Sequence, residues 1–98
     1  MEDKYRRYIQ FKIKEIYLYI GSCLEKMDIF NYSLDIYEKV KAISRIDQCY
    51  NKILNSTQKM ERKFGYMSKY AKFNEDCGRF EKAIIVYQEI LDTFYYKP

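Results

Sequence analysis

The stretch FNYSLDIYEKV at residues 30–40 and the stretch FEKAIIVYQEI at residues 80–90 follow one pattern at an offset of 50 residues. Both begin with Phe, carry a small residue three positions later and have a Tyr four positions after that. Upstream, IGSCLE at 20–25 aligns with YAKFNE at 70–75, and the second residue of each is small. We interpret this as one motif used twice, in which small residues let the two helices of a hairpin approach closely.

Apolar residues recur at spacings of three and four through the first half of the chain, which predicts helices. The first helix is expected over residues 4–26 with Asp3 as its N-cap. A turn at 28–31 leads to a second helix that ends near Ser44. The positions expected to be buried are Tyr5, Ile9, Ile13, Ile16, Ile20 and Met27 in the first helix, and Leu34, Tyr37, Val40 and Ile43 in the second.

The second half of the chain has the same periodicity. Residues 46–76 are expected to form either one long helix or two helices broken at Gly65, with Asp47 or Ser44 as the cap. Gly78 predicts a helix stop before a last helix over residues 80–95. The positions expected to be buried are Ile46, Tyr50, Ile53, Met60, Phe64, Met67 and Ala71, followed by Phe80, Ala83, Ile84, Tyr87, Ile90 and Leu91.

Composition limits the function classes. The 98 residues suit a single domain, and an apolar fraction of 48% argues against disorder. The chain has no His, the usual general acid or base and a common metal ligand. No phosphate-binding glycine loop, nucleophile elbow or zinc-protease motif occurs, and the acidic residues are scattered. We therefore expect no enzyme activity, no metal and no cofactor.

The cysteines and the N-terminus bear on the compartment. Cys23, Cys49 and Cys77 are an odd and widely spaced set, so we expect buried free thiols in a reducing environment. The sequence has neither the apolar run of a signal peptide nor one long enough to span a membrane. These features predict an intracellular protein, cytoplasmic or nuclear.

Two families are similar to parts of the chain. Residues 78–91, GRFEKAIIVYQEIL, resemble the second half of the tetratricopeptide repeat, and residues 70–78, YAKFNEDCG, resemble the half-a-TPR (HAT) repeat of RNA-processing scaffolds. The resemblance extends over about 16–43 and 64–91. A third, shorter resemblance links ISRIDQ at 43–48 to soluble NSF attachment proteins, where such a stretch lies near the C-terminus.

The resemblance implies an all-α fold of two stacked antiparallel helical hairpins, about 4–44 and 46–95, in a right-handed solenoid with a long N-terminal helix. Because the offset of 50 residues exceeds the usual 34 of this repeat, the first and third helices must be long or an extra helix must be present. The implied function is a non-catalytic protein–protein interaction scaffold or adaptor in a larger complex, with self-association as a further option. The residues that would line its partner groove are Glu15, Leu18, Ser22, Glu25, Lys26, Gly65, Ser68, Lys72, Glu75 and Asp76.

Charge suggests an alternative function. Residues 59–72 carry five basic and one acidic side chain, a net charge of +4. A helix with this charge and an aromatic residue could contact RNA, as in a HAT-like module of a ribonucleoprotein. An ordinary solvated face and a site for an acidic protein are the other interpretations. The residues concerned are Lys59, Arg62, Lys63, Tyr66, Lys69 and Lys72.

Overall fold

The computed structural model describes residues 2–57 and 59–95, with side chains from residue 3 onwards. The described residues form five α-helices and no strand, so the predicted all-α class is confirmed. The helices are α1 (Glu2–Lys26), α2 (Phe30–Lys39), α3 (Ile43–Ser56), α4 (Met60–Asp76) and α5 (Phe80–Phe94). The long first helix is also confirmed, since α1 has 25 residues. The chain divides into two compact units, residues 1–49 and 50–98.

The same turn joins α1 to α2 and α4 to α5. In the first turn the amide of Ile29 donates to the carbonyl oxygen of Leu24 at 2.9 Å. In the second turn the amide of Arg79 donates to the carbonyl oxygen of Asn74 at 2.8 Å. Donors and acceptors are each 50 residues apart, so the repeat seen in the sequence is also a repeat of backbone geometry.

The first hairpin, formed by α1 and α2, is tightly packed at Gly21. Ser33 Oγ donates to the carbonyl oxygen of Gly21 at 2.9 Å. A Cβ added at Gly21 would lie 2.9 Å from Cζ of Tyr37, so a side chain there would collide with the ring. The Tyr37 hydroxyl donates to Glu25 Oε2, and all three polar side chains are buried. The predicted meeting of two small residues is confirmed in this hairpin.

The second hairpin, formed by α4 and α5, repeats this arrangement with different side chains. Ala71 and Ala83 stand where Gly21 and Ser33 stand in the first copy, and both are buried. The Tyr87 hydroxyl donates to Glu75 Oε1 at 3.0 Å, which is the counterpart of the Tyr37–Glu25 bond. The main difference is that this second bond is exposed to solvent.

The helix α3 lies between the hairpins in sequence, and its second half belongs to the same unit as α4 and α5. The ring of Tyr50 stacks on the ring of Tyr70, with centroids 4.7 Å apart, and its centroid lies 6.4 Å from that of Phe73. This contact buries Tyr50 and Tyr70. Of the two explanations for the long repeat, the structure supports the extra helix.

The region 46–76 fits neither of the two predicted alternatives, because it contains two helices that are not broken at Gly65. The helix α3 ends at Ser56 and α4 begins at Met60, while Gly65 lies inside α4. A helix interior tolerates one glycine at a cost of about 1 kcal/mol, so Gly65 does not by itself end α4. The predicted stop at Gly78 is confirmed, because α4 ends two residues earlier and Gly78 has a φ of 76°.

The predicted N-caps are wrong. Since α1 begins at Glu2 and α3 begins at Ile43, the three candidates Asp3, Ser44 and Asp47 all lie inside helices. A capping residue precedes the first helical residue, so these side chains are each too late in the sequence to act as caps.

The predicted first hairpin, residues 4–44, contains α2 and all but the first two residues of α1. The predicted second hairpin, residues 46–95, contains most of α3 with α4 and α5. The stacking of the hairpins into a solenoid stays a prediction.

Candidate functional site

A row of large apolar side chains runs along α1 and is exposed. We call Tyr5, Ile9, Ile13, Ile16 and Ile20 the α1 row. Their exposed fractions lie between 42% and 63%, so the prediction that they are buried is wrong. Met27, also expected in the core, is exposed as well.

The lengths of the helices explain the exposure in part. At 1.5 Å per residue α1 is about 38 Å long, whereas the ten residues of α2 span about 15 Å. The contacts between them fall on the C-terminal part of α1, at Tyr17, Gly21 and Glu25. The N-terminal half of α1 therefore extends beyond α2.

The orientation of the row explains the rest. At 100° per residue, the five side chains of the α1 row fall within an arc of about 80°. The residues that meet α2 are centred about 120° away around the same helix. Even Ile20, which is beside Gly21 in sequence, therefore points away from α2 and stays exposed.

A second exposed row lies on α5. We call Phe80, Ile84, Tyr87 and Leu91 the α5 row, and their exposed fractions lie between 40% and 62%. Of the six α5 positions expected to be buried, only Ala83 and Ile90 are. The third buried residue of this helix is Val86, which the sequence reasoning missed. Residues 83, 86 and 90 also follow helical spacing, so periodicity alone could not choose between the two rows.

Elsewhere the expected core is largely present. Leu34 and Tyr37 on α2 are buried as predicted, whereas Val40 is half-buried and Ile43 is exposed. Ile43 begins α3, and in the rest of α3 and α4 the prediction fails at the N-terminal end of α4, where Met60 and Phe64 are exposed. The positions confirmed as buried there are Ile46, Tyr50, Ile53, Met67 and Ala71.

The predicted groove residues of the first hairpin share one face of α1. Leu18 and Ser22 are half-buried, and Lys26 is exposed. Glu15 is half-buried and forms an ion pair with Lys12 at 3.3 Å. Glu25 is buried and accepts the hydrogen bond from Tyr37, so this carboxylate supports the hairpin rather than facing a partner.

The predicted groove residues of the second hairpin include a small charged cluster at the end of α4. Lys72 Nζ lies 3.3 Å from Asp76 Oδ1 and 3.9 Å from Glu75 Oε2, and all three side chains are exposed. The hydrogen bond and charge of Asp76, with the charge of Glu75, raise the pKa of Lys72. Ser68 and Gly65, earlier on the helix, are half-buried.

The predicted nucleic-acid face lies on α4 and the residue before it. Lys59, Arg62 and Lys69 are exposed, whereas Lys63 and Tyr66 are half-buried. The ammonium group of Lys69 lies 5.8 Å from the centroid of the Tyr66 ring. Residues 62, 66 and 69 share one side of the helix by their spacing. Lys72, the last predicted member, is instead engaged by the two carboxylates described above.

The side chain of Tyr37 has a strongly shifted pKa. Burial, together with the hydrogen bond to Glu25, raises the pKa of Tyr37 to about 12. The hydrogen bond to Glu75 likewise raises the pKa of exposed Tyr87. Sequence reasoning aligned both pairs but missed the bonds, although a Glu and a Tyr twelve residues apart in each copy were the available signal.

The cysteines correct one expectation. Cys49 is buried as predicted, but Cys23 and Cys77 are exposed. Within residues 2–57 and 59–95, no group of three or more candidate ligands is arranged to hold a metal ion. In the same ranges, no helix has both the length and the apolar character needed to cross a membrane.

Comparisons with protein-family models, curated proteins and solved structures found no match. The tetratricopeptide, HAT and NSF-attachment resemblances therefore stay predictions.

Proposed function

We propose that this chain is a non-catalytic protein–protein interaction scaffold or adaptor that works inside a larger complex. The observation that carries the proposal is that each unit leaves a helical row of large apolar side chains exposed, the α1 row in one and the α5 row in the other. Contiguous exposed apolar surface of this kind is typical of protein interaction sites.

The energetics favour covering these rows. Full burial of an Ile, Leu or Phe side chain contributes about 1.5–3 kcal/mol, so completing the burial of several half-exposed side chains is a substantial driving force. Four or five residues at spacings of three and four match the way one helix packs against another or into a groove. A partner helix is therefore the structure that these rows fit best.

The alternative function is that of an RNA-contacting module of a ribonucleoprotein. It is favoured by the exposure of Lys59, Arg62 and Lys69 and by the position of the Lys69 ammonium group 5.8 Å from the centroid of the Tyr66 ring. Cationic side chains beside an aromatic ring suit a phosphate backbone with stacked bases. The pairing of Lys72 with Asp76 and Glu75 reduces the free positive charge at one end of this face.

Affinity capture from cell lysate tests the two functions against each other. The purified chain is immobilised and incubated with lysate, with and without nuclease, at low and high salt. We expect protein capture that survives nuclease and high salt, because apolar docking depends weakly on ionic strength and phosphate binding depends on it steeply. Capture that disappears with nuclease, and that an R62Q/K69Q variant abolishes, would replace the scaffold proposal with the RNA alternative.

A pair of variants locates the surface. I84Q/L91Q removes two side chains of the α5 row and should reduce capture. E89Q/T93Q changes two exposed positions on another side of the same helix and should not. If I84Q/L91Q captured as much protein as the control E89Q/T93Q, the α5 row would not be a docking surface.

A further inference from the structure

The α1 row continues in a heptad pattern beyond Ile20. Ile9, Ile13, Ile16 and Ile20 alternate spacings of four and three, and Cys23 continues the alternation. Cys23 is exposed, like the row itself. Apolar residues in this alternation form the seam along which two helices of a coiled coil pack.

The second unit shows what covers the corresponding face. At the offset of 50 residues, Tyr70 is the counterpart of Ile20 and Phe73 is the counterpart of Cys23. Tyr50 of α3 packs on both rings, and Tyr70 is only 4% exposed. Ile20 is 42% exposed. The face that is covered by a helix in the second unit is thus open in the first.

We propose that the α1 row binds the α1 row of a second copy of this chain, with the two helices antiparallel. This inference rests on the proposed function, since it assigns a partner to one of the two exposed rows. A seam of one residue type at successive positions is self-complementary, as a two-fold symmetric interface requires. In the antiparallel register Ile13 lies opposite Ile16 of the second copy, and Ile9 lies opposite Ile20.

The charge distribution selects this orientation. Residues 1–14 carry five basic and two acidic side chains, a net charge of +3. The rest of α1, residues 15–26, carries one basic and two acidic side chains, and one of these, Glu25, is buried against α2. An antiparallel pair keeps the two basic halves apart, whereas a parallel pair places them together. Like-charge repulsion therefore disfavours the parallel arrangement.

Sedimentation of the full chain over a range of concentrations tests the pairing. We expect the mass to rise about twofold with concentration for the wild type and for I84Q/L91Q, but not for I13Q/I16Q. The two variants make the same chemical change at two exposed apolar positions, and circular dichroism verifies that both remain helical. A wild type that stays monomeric throughout, or a dimer that persists in I13Q/I16Q, would overturn the proposal.

Disulfide trapping tests the orientation. In the antiparallel register Cys23 lies opposite position 6 of the second copy, and the two Cys23 residues are about 25 Å apart. Mild oxidation should therefore cross-link R6C/C77S but not C77S alone. Cross-linking of C77S through Cys23 would indicate a parallel pair and overturn the antiparallel assignment.

The outcomes separate this inference from the proposed function. If the chain is monomeric but still captures proteins in a salt-resistant manner that depends on the α5 row, only the self-pairing is wrong. If it dimerises but captures no other protein, self-pairing stands and the adaptor function fails.

Discussion

At the scale of single residues, alanine substitutions at two glycines test the close packing at Gly21 in the first hairpin. The G21A substitution places a Cβ against the Tyr37 ring, which is fully buried and has little freedom to move. We expect a loss of about 1–3 kcal/mol in the free energy of unfolding, the usual cost of overpacking a core. Urea denaturation measures this change.

The G65A substitution is the matched control. Gly65 lies within α4, and an added Cβ meets no atom within 4 Å. Alanine is a better helix former, so G65A should raise stability by about 1 kcal/mol. If G21A were as stable as the wild type or more stable, the close approach at Gly21 would be wrong.

The raised pKa of Tyr37 predicts that the stability of the protein falls at alkaline pH. Its pKa is about 12 in the folded protein against 10.0 for a model tyrosine. Because the folded state disfavours the phenolate, the stabilisation is fully present below pH 10 and is lost as pH rises towards 12. A shift of this size corresponds to about 2–3 kcal/mol.

Comparison of wild type, Y37F and Y87F isolates this effect. Between pH 10 and pH 12 the free energy of unfolding should fall more steeply for the wild type than for Y37F. Y87F should stay closer to the wild-type profile than Y37F does, because the Tyr87 hydroxyl bonds to Glu75 in solvent rather than in the core. Parallel pH profiles for wild type and Y37F would show that Tyr37 ionises as an ordinary tyrosine.

At the scale of elements, we expect substitutions at corresponding positions of the two equivalent turns to change stability in opposite directions. Asp28 has a φ of 60° and Gly78, at the corresponding position, has a φ of 76°. A side chain is strained in this left-handed region, whereas glycine is not. D28G should therefore raise stability by a few tenths to about 1 kcal/mol, and G78A should lower it by about 1 kcal/mol.

Thermal unfolding followed by circular dichroism compares these variants. A change of 1 kcal/mol moves the midpoint by about 4–8 °C in a domain of this size. A G78A variant as stable as the wild type would mean that the second turn does not hold its positive φ in solution.

The elements also show how far the sequence predicts the structure. Helix content, the two turns and the meeting of small residues follow from local chemistry, which the repeat displays twice. The inward face of α5 does not, because residues 80, 84, 87 and 91 and residues 83, 86 and 90 are both apolar at helical spacing. Which row is buried depends on the tertiary contacts of the helix rather than on its own periodicity.

At the scale of the whole molecule, the candidate site was the less predictable part. The α1 row follows the pattern of a buried stripe. It is exposed because α2 is much shorter than α1 and packs against a different side of that helix. The groove prediction identified one face of α1 but included Glu25, whose partner Tyr37 lies on the next helix. Such pairings depend on the crossing of two helices, which a single sequence does not specify.

Hydroxyl-radical footprinting of the chain within its captured complexes shows which of its surfaces a partner covers. The oxidation of aromatic and aliphatic side chains reports their exposure, so it compares the two apolar rows with Tyr66 on the basic face. We expect the α5 row to be protected in these complexes and the α1 row to be protected in dimers. Tyr66 should react as it does in the isolated chain. Protection of Tyr66 that nuclease reverses, with both rows fully reactive, would contradict the scaffold proposal.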